Sequence, residues 1–178
     1  MTREELEHVI RAACDVAGDD EVYILGSQAI LGRFPDAPAF LRQSVEADVA
    51  PRTKPDQWEA IDGSLGELSP FHNSFKVYAH GIEIGTAKLP TGWKRRVVRV
   101  RSDATRGYTG LCLEPHDLAA SKLAAFRDKD RDFVRVLLTE GMVNAKVLVS
   151  RIRTLDVPAE QRRRMVDWVL LTASPPTA

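Results

Sequence analysis

The segment at residues 45–51, VEADVAP, limits the fold more than any other. Side chains on a strand alternate between faces, so Val45, Ala47 and Val49 fall on one side while Glu46 and Asp48 share the other, about 7 Å apart. Such a strand belongs in a sheet that has its core on one side only. Its two like charges repel and raise each other's pKa unless something positive lies between them. A divalent cation is the usual remedy, since Mg²⁺ accepts carboxylate and phosphate oxygens and needs only one or two protein carboxylates. The competing reading is a solvated edge strand.

The surrounding sequence supplies a sheet and a core. EVYIL gives a short β-rich run stopped by Gly26, and SQAILGRF has helical character with Ser27 as a natural N-cap. The sequence PDQWEAIDGSLGEL predicts a helix from Pro55 with Trp58, Ile61 and Leu65 on one face. FKVYA and IEIGTA, separated by His80 and Gly81, read as a hairpin, and VVRVRS and TGLCLE add strand signals. From Pro115 onward the pattern is helical, taking in PHDLAASKLAAFRDKDRDFVRVLLTEG, NAKVLVSRIRTL and PAEQRRRMVDWVLL, and the tail TASPPTA is expected to be loose. The expectation is an α+β protein in two lobes, 1–112 mixed and 113–178 helical, forming one compact unit.

With 178 residues and 44% hydrophobic content, the chain is long enough to bury a real core. It has no apolar run near the eighteen or so residues that a membrane span needs. Its first residues form an amphipathic helix carrying Glu4, Glu5 and Glu7 rather than a signal peptide, so a cytoplasmic location is expected. Two distant cysteines, Cys14 and Cys112, imply neither a disulfide framework nor a cysteine zinc site. The net charge is zero but unevenly spread: residues 1–85 carry a balance of −8 and residues 86–178 one of +8. The second half is the one that would attract a polyanion, although Lys and Arg also simply solvate helices.

Gly26 and Ser27 stand between a strand and a helix, where backbone N–H groups and a small hydroxyl suit a phosphate. A turn with an N-capping serine explains them too. In SKLAAFRDKDRDF, read as one helix, Lys122, Phe126 and Lys129 share a face, and Lys122 and Asp130 align over two turns. A lysine aimed at a triphosphate offsets the charge that builds on leaving pyrophosphate; an exposed helix knitted by alternating charges is the plainer reading. EPHDL reads as a helix cap, and His8, His72 and His80 show no metal-ligand spacing. In WKRRVVRVR, Arg95, Arg99 and Arg101 fall on one strand face suited to a nucleic-acid backbone or to plain solvation.

Four blocks, YILGSQAILGRFPDAPAF, SVEADVAP, YAHGIEIGTAKLPTGW and EPHDLAASKLAAFRDKDRDF, together resemble the DUF6036 group of nucleotidyltransferase-like proteins. That group is related to the AbiEii-type toxins of bacterial toxin–antitoxin systems, including the tRNA-modifying MenT toxins. The resemblance covers roughly residues 20 to 140. It implies a nucleotidyltransferase fold, with a small mixed sheet carrying the metal acids and a helical C-terminal lobe across a cleft.

The resemblance also implies roles. Glu46 and Asp48 hold Mg²⁺ or Mn²⁺, while Gly26 and Ser27 contact nucleotide phosphates. Lys122, Arg127, Lys129 and Asp130 follow the family's helical motif, with Lys122 and Asp130 completing the active site. A third carboxylate is expected on a neighbouring strand, and Glu83 is the candidate. Ser44 holds the place of a hydroxyl that in some relatives is phosphorylated during neutralisation by an antitoxin. Two features depart from the pattern: the first acid is Glu rather than Asp, and sixteen residues separate Ser27 from Ser44.

The implied reaction is Mg²⁺-dependent transfer of a nucleoside monophosphate from an NTP to an acceptor hydroxyl. The implied partners are a tRNA 3′ end, bound through the basic second half, and a cognate antitoxin. The alternatives are a catalytically lapsed nucleotide- or partner-binding module and a metal-dependent nuclease or phosphohydrolase.

Overall fold

The computed structural model describes residues 1–173. The chain divides into two compact units, one made of Met1–Ala87 and Arg96–Glu114 and the other of Lys88–Arg95 and the residues from Pro115 onward. No helix among the described residues is long and apolar enough to cross a membrane.

The first unit is built on a mixed sheet. Helix α1, Arg3–Ala17, opens at Thr2 with a capping box in which Thr2 Oγ1 accepts from the Glu5 N–H and the Glu5 carboxylate accepts from the Thr2 N–H. Leu6, Val9, Ile10, Ala13, Cys14 and Ala17 recur every three or four residues along it and are buried. Strand β1, Glu21–Ile24, is followed by a 3₁₀ turn, Ser27–Ala29, and the short helix α2, Ile30–Arg33. Strand β2, Glu46–Pro51, leads into α3, Trp58–Leu65, α4, Pro70–Phe75, and strand β3, Tyr78–Gly81. Strands β4, Val98–Val100, and β5, Thr109–Cys112, complete a five-stranded sheet of order β3-β2-β1-β5-β4. The pairs β1/β5 and β2/β3 are parallel, and β1/β2 and β4/β5 are antiparallel, a mixture consistent with the expected α+β class.

Four local expectations are corrected. The predicted hairpin at His80 and Gly81 does not form: β3 runs parallel to β2, a pairing that requires a crossover, and α3 and α4 provide it. The second half of that predicted hairpin contains a 3₁₀ turn, Ile84–Thr86. Gly81 is no turn glycine; a Cβ there would lie 2.8 Å from the Asp62 backbone nitrogen, so its smallness lets α3 approach the sheet. At the end of β1, Gly26 rather than Ser27 takes the N-cap position, with no side-chain cap bond. Finally, β4 is only three residues long, and Arg95 lies in a separate 3₁₀ turn, Trp93–Arg95, so Arg95, Arg99 and Arg101 do not share a strand face. Arg99 pairs with Glu21 at 2.6 Å.

The second unit is helical: α5, Pro115–Ala125, α6, Asp128–Thr139, α7, Ala145–Ile152, and α8, Ala159–Ala173. Its core is Leu118, Leu123, Leu137, Leu148, Ile152 and Met165, each at most 1% exposed. The fourth correction falls here, since the long helix predicted from Pro115 breaks. Phe126 has φ +53°, Arg127 is extended at the N-cap of α6, and the chain restarts. The physical reason is packing: the Phe126 ring meets Trp168 of α8 edge-on at 6.4 Å and lies under the guanidinium of Arg164 at 4.2 Å. Thr91 ties residues 88–95 to this unit, its Oγ1 donating to the Thr154 carbonyl at 3.1 Å. Of the tail expected to be loose, Thr172 and Ala173 extend α8, and residues 174–178 lie outside the described residues.

Candidate functional site

β2 receives neighbours on both edges, and the register decides what its acidic face meets. Antiparallel pairing to β1 sets Ile24 opposite Val49, and parallel pairing to β3 sets Glu46 opposite Tyr78 and Asp48 opposite His80. Ala47, Val49 and Ala79 are buried, whereas Glu46, Asp48 and Tyr78 are partly exposed and His80 is exposed. Four polar side chains thus stand on one sheet face, as cross-strand geometry requires.

They touch. His80 Nδ1 lies 3.3 Å from Glu46 Oε1 and 3.2 Å from Asp48 Oδ1, and Tyr78 Oη donates to Glu46 Oε2 at 2.8 Å. Glu46, Asp48 and His80 each offer a ligand atom within 4.8 Å of the others. Burial, and then the negative charge of Glu46, push the Asp48 carboxyl above its ordinary value, with His80 acting in the opposite direction. Burial and the Glu46 carboxylate likewise hold the Tyr78 hydroxyl protonated well past its usual range. A cation beside Asp48 would relieve that repulsion.

Gly26 closes the other side of Asp48. A Cβ on Gly26 would lie 2.7 Å from Asp48 Cγ and overlap Oδ2, so only glycine lets the turn after β1 lie against that carboxylate. The Leu25 N–H donates to the Asp48 carbonyl at 3.0 Å, fixing the two strands at this point. Two carboxylates, one imidazole and a backbone cradle sized for glycine form a donor set that fits a divalent cation.

Glu83 is not in this cluster: it is exposed and begins the 3₁₀ turn beyond β3. Ser44 Oγ accepts from the Glu46 N–H at 3.1 Å, bracing the entry to β2. Tyr78 is not singled out by the sequence, and the expectation that His80 has no metal-ligand spacing is corrected: His80 reaches the acids across the β2/β3 pair, a placement that the predicted hairpin hid. The available signal was alternation: in VYAHG, Val77, Ala79 and Gly81 are buried while Tyr78 and His80 are not, the same pattern as in EADV. The other histidines do structural work. His8 packs edge-on against Phe75, His72 Nδ1 accepts from the Leu68 N–H, and His116 Nε2 accepts from the Asn144 N–H.

In the helical unit Lys122, Arg127 and Asp130 come together across the break between α5 and α6, not along one helix face. Arg127 grips Asp130 with two bonds, Nε to Oδ2 at 2.6 Å and Nη2 to Oδ1 at 3.3 Å, and Lys122 Nζ stands 3.6 Å from Oδ1. The Asp130 side chain is 2% exposed and Lys122 Nζ lies 4.5 Å from the Phe133 ring centre, so two cations share one buried carboxylate. Lys129 is exposed. The neighbouring His116–Asp117 pair is also structural, with Asp117 fully buried beside Arg151 Nε at 3.2 Å. Neither cysteine is a nucleophile candidate, because burial pushes both thiols up to about 12.

A concavity in the first unit, about 690 Å³ and lined by Asp19, Arg101, Arg106 and Tyr108 among others, lies at the other end of β1 from the acid pair. Its buried acid, Asp19, is engaged by the N–H groups of Thr53, Lys54 and Glu21 and is a loop anchor.

A mixed sheet that sets two carboxylates and an imidazole against a glycine turn defines an α+β protein with a candidate divalent-cation site. The chain belongs to the family DUF6036, described as a nucleotidyltransferase of unknown function, whose profile matches residues 4–172. Membership supports nucleotidyl transfer as the general activity and an NTP as substrate, and such transferases generally use divalent metals. Among curated proteins and among solved structures, no significant match to the chain is found.

Proposed function

We propose that this protein has the nucleotidyltransferase fold and transfers a nucleoside monophosphate from an NTP to the 3′-hydroxyl of a tRNA, as the toxin of a toxin–antitoxin pair related to the AbiEii and MenT groups. The observation that carries the chemistry is the meeting of Glu46, Asp48 and His80 beside Gly26. The choice of tRNA and the toxin role rest on the family resemblance and on the +8 balance of residues 86–178.

Glu46 and Asp48 would hold a cation such as Mg²⁺ or Mn²⁺, which would supply Lewis acidity at the phosphate oxygens. Gly26 and Ser27 present the start of the turn to those phosphates. By the family resemblance, Lys122 and Arg127 would offset the charge that grows on the leaving group. Asp130, fully engaged by those two cations, is a positioning residue. In the reaction the acceptor oxygen bonds to the α-phosphorus and the bond to the β-bridging oxygen breaks. Pyrophosphate leaves with the electron pair, and the hydroxyl proton passes to solvent. Ser44 is the hydroxyl through which an antitoxin would act by phosphorylation.

The test incubates the purified protein with each NTP labelled at the α-phosphate, a divalent cation and total tRNA. Label entering tRNA, and lost in Asp48→Ala and Lys122→Ala, supports the transferase. NTP binding without transfer points to a lapsed binding module, and shortened RNA to a nuclease; either result overturns the proposal.

A further inference from the structure

We propose that His80 is a third ligand of the cation site, through Nδ1, and that the site therefore selects a nitrogen-accepting cation such as Mn²⁺, Co²⁺ or Zn²⁺ over Mg²⁺. This rests on the reading of Glu46 and Asp48 as cation ligands.

Each carboxylate turns one oxygen to the imidazole and the other to the protein around it. Tyr78 Oη holds Glu46 Oε2 at 2.8 Å, and Asp48 Oδ2 lies against Gly26. The free members, Oε1 and Oδ1, stand 3.3 and 3.2 Å from His80 Nδ1. With metal–donor bonds of about 2.1 Å, neighbouring donors are about 3.0 Å apart around an octahedral ion and about 3.4 Å apart around a tetrahedral one. The observed spacings fall between those two edge lengths. An Nδ1–H shared between the two carboxylates has a similar length, but it brings at most one positive charge to two acids, whereas a divalent cation brings two and engages all three donors together.

The strand register makes this ligand nitrogen rather than oxygen. Position 80 lies opposite Asp48 on the parallel neighbour, and the nearest acid downstream, Glu83, begins a turn outside the cluster. Mg²⁺ strongly prefers oxygen donors, whereas imidazole raises affinity for first-row transition ions. Tyr78 acts behind the ligands: by fixing Glu46 through Oε2 it leaves Oε1 as a single donor aimed at the site.

The chelator-stripped full chain is titrated with Mn²⁺ and, separately, Mg²⁺, and the Mn²⁺-loaded protein is read by pulsed electron paramagnetic resonance for nitrogen coupling. Bound Mn²⁺ is expected to show imidazole nitrogen modulation in the wild type and none in His80→Ala. Mn²⁺ affinity should fall at least about tenfold in that variant while Mg²⁺ affinity moves by less than about threefold. His80→Asp, which restores an oxygen, should reverse the preference.

Bound Mn²⁺ without nitrogen coupling, or unchanged Mn²⁺ affinity in His80→Ala, overturns the proposal. Nucleotidyl transfer by the same wild-type sample would then leave the acid-pair reading standing. A wild type that binds no divalent cation overturns both. Should His80→Ala fail to fold, the wild-type spectrum and His80→Asn carry the decision.

Discussion

Replacing Gly26 by alanine tests whether the turn after β1 exists to receive Asp48. The backbone itself tolerates the change, since Gly26 has φ −84° and ψ −162°, open to any residue. The added Cβ would sit 2.7 Å from Asp48 Cγ, and ordinary contact begins at 3.4 Å, so the carboxyl carbon has to withdraw by about 0.7 Å and Oδ2 by more. Oδ1 stands 3.2 Å from His80 Nδ1, so a shift of that size changes the spacing on which the cluster depends. Forcing an extra carbon into a packed position costs about 1–3 kcal/mol. In an Asp48→Ala background the offending carboxylate is gone and only Asp48 Cβ, 3.1 Å away, remains to give slightly. Most of the penalty should then vanish. Urea unfolding of the wild type, both single variants and the double variant forms a cycle whose expected coupling is about 1–3 kcal/mol. Additivity within about 0.5 kcal/mol would show that Gly26 is not there for Asp48 and would remove the glycine turn from the site.

Two further outcomes follow from the charges. Because the native Asp48 carboxyl lies above the unfolded value of about 3.9, the folded state holds the proton more firmly between the two, and stability declines as pH rises through that window. Asp48→Asn, which cannot ionise, should therefore be more stable than the wild type at pH 7 in the presence of chelator and lose that advantage below about pH 4; paired urea melts at the two pH values check this, and an equal difference at both would contradict it. Asp130→Ala leaves Lys122 and Arg127 without their shared carboxylate and should cost about 3 kcal/mol in urea unfolding, whereas loss of activity at unchanged stability would make Asp130 a direct participant rather than a positioning residue.

The parts of the fold visible in the sequence are those set by neighbours along the chain. Period-2 alternation in VEADVAP predicts β2 and puts Glu46 and Asp48 on one face, which is where the structure has them. Spacings of three and four predict the buried faces of α1 and α3. Lys122 and Asp130 do meet, but for a different reason from the one the spacing offers. An eight-residue separation on a continuous helix aligns two side chains, yet Phe126 breaks that helix, and the pair is joined instead by the packing of α6 on α5. The break was not legible, because Phe126 packs on Arg164 and Trp168, 38 and 42 residues further along the chain.

His80 shows the same limit in a sharper form. A hairpin and a parallel crossover place the same residues on the two sides of Gly81, and nothing local distinguishes them, since a turn glycine and a close-packing glycine are the same letter. The difference lies in α3, whose Trp58 carbonyl and Asp62 nitrogen crowd Gly81 and keep it in the strand. Once β3 is parallel to β2, the register follows from their alternating buried residues, with Ala47 opposite Ala79 and Val49 opposite Gly81. The positions between those pairs then have to face one another on the wet side, Glu46 with Tyr78 and Asp48 with His80. The glycine that admits α3 is therefore part of the device that delivers an imidazole to the acid pair. A bulky residue at position 81 would displace β3 and remove His80 from Asp48 without touching either side chain.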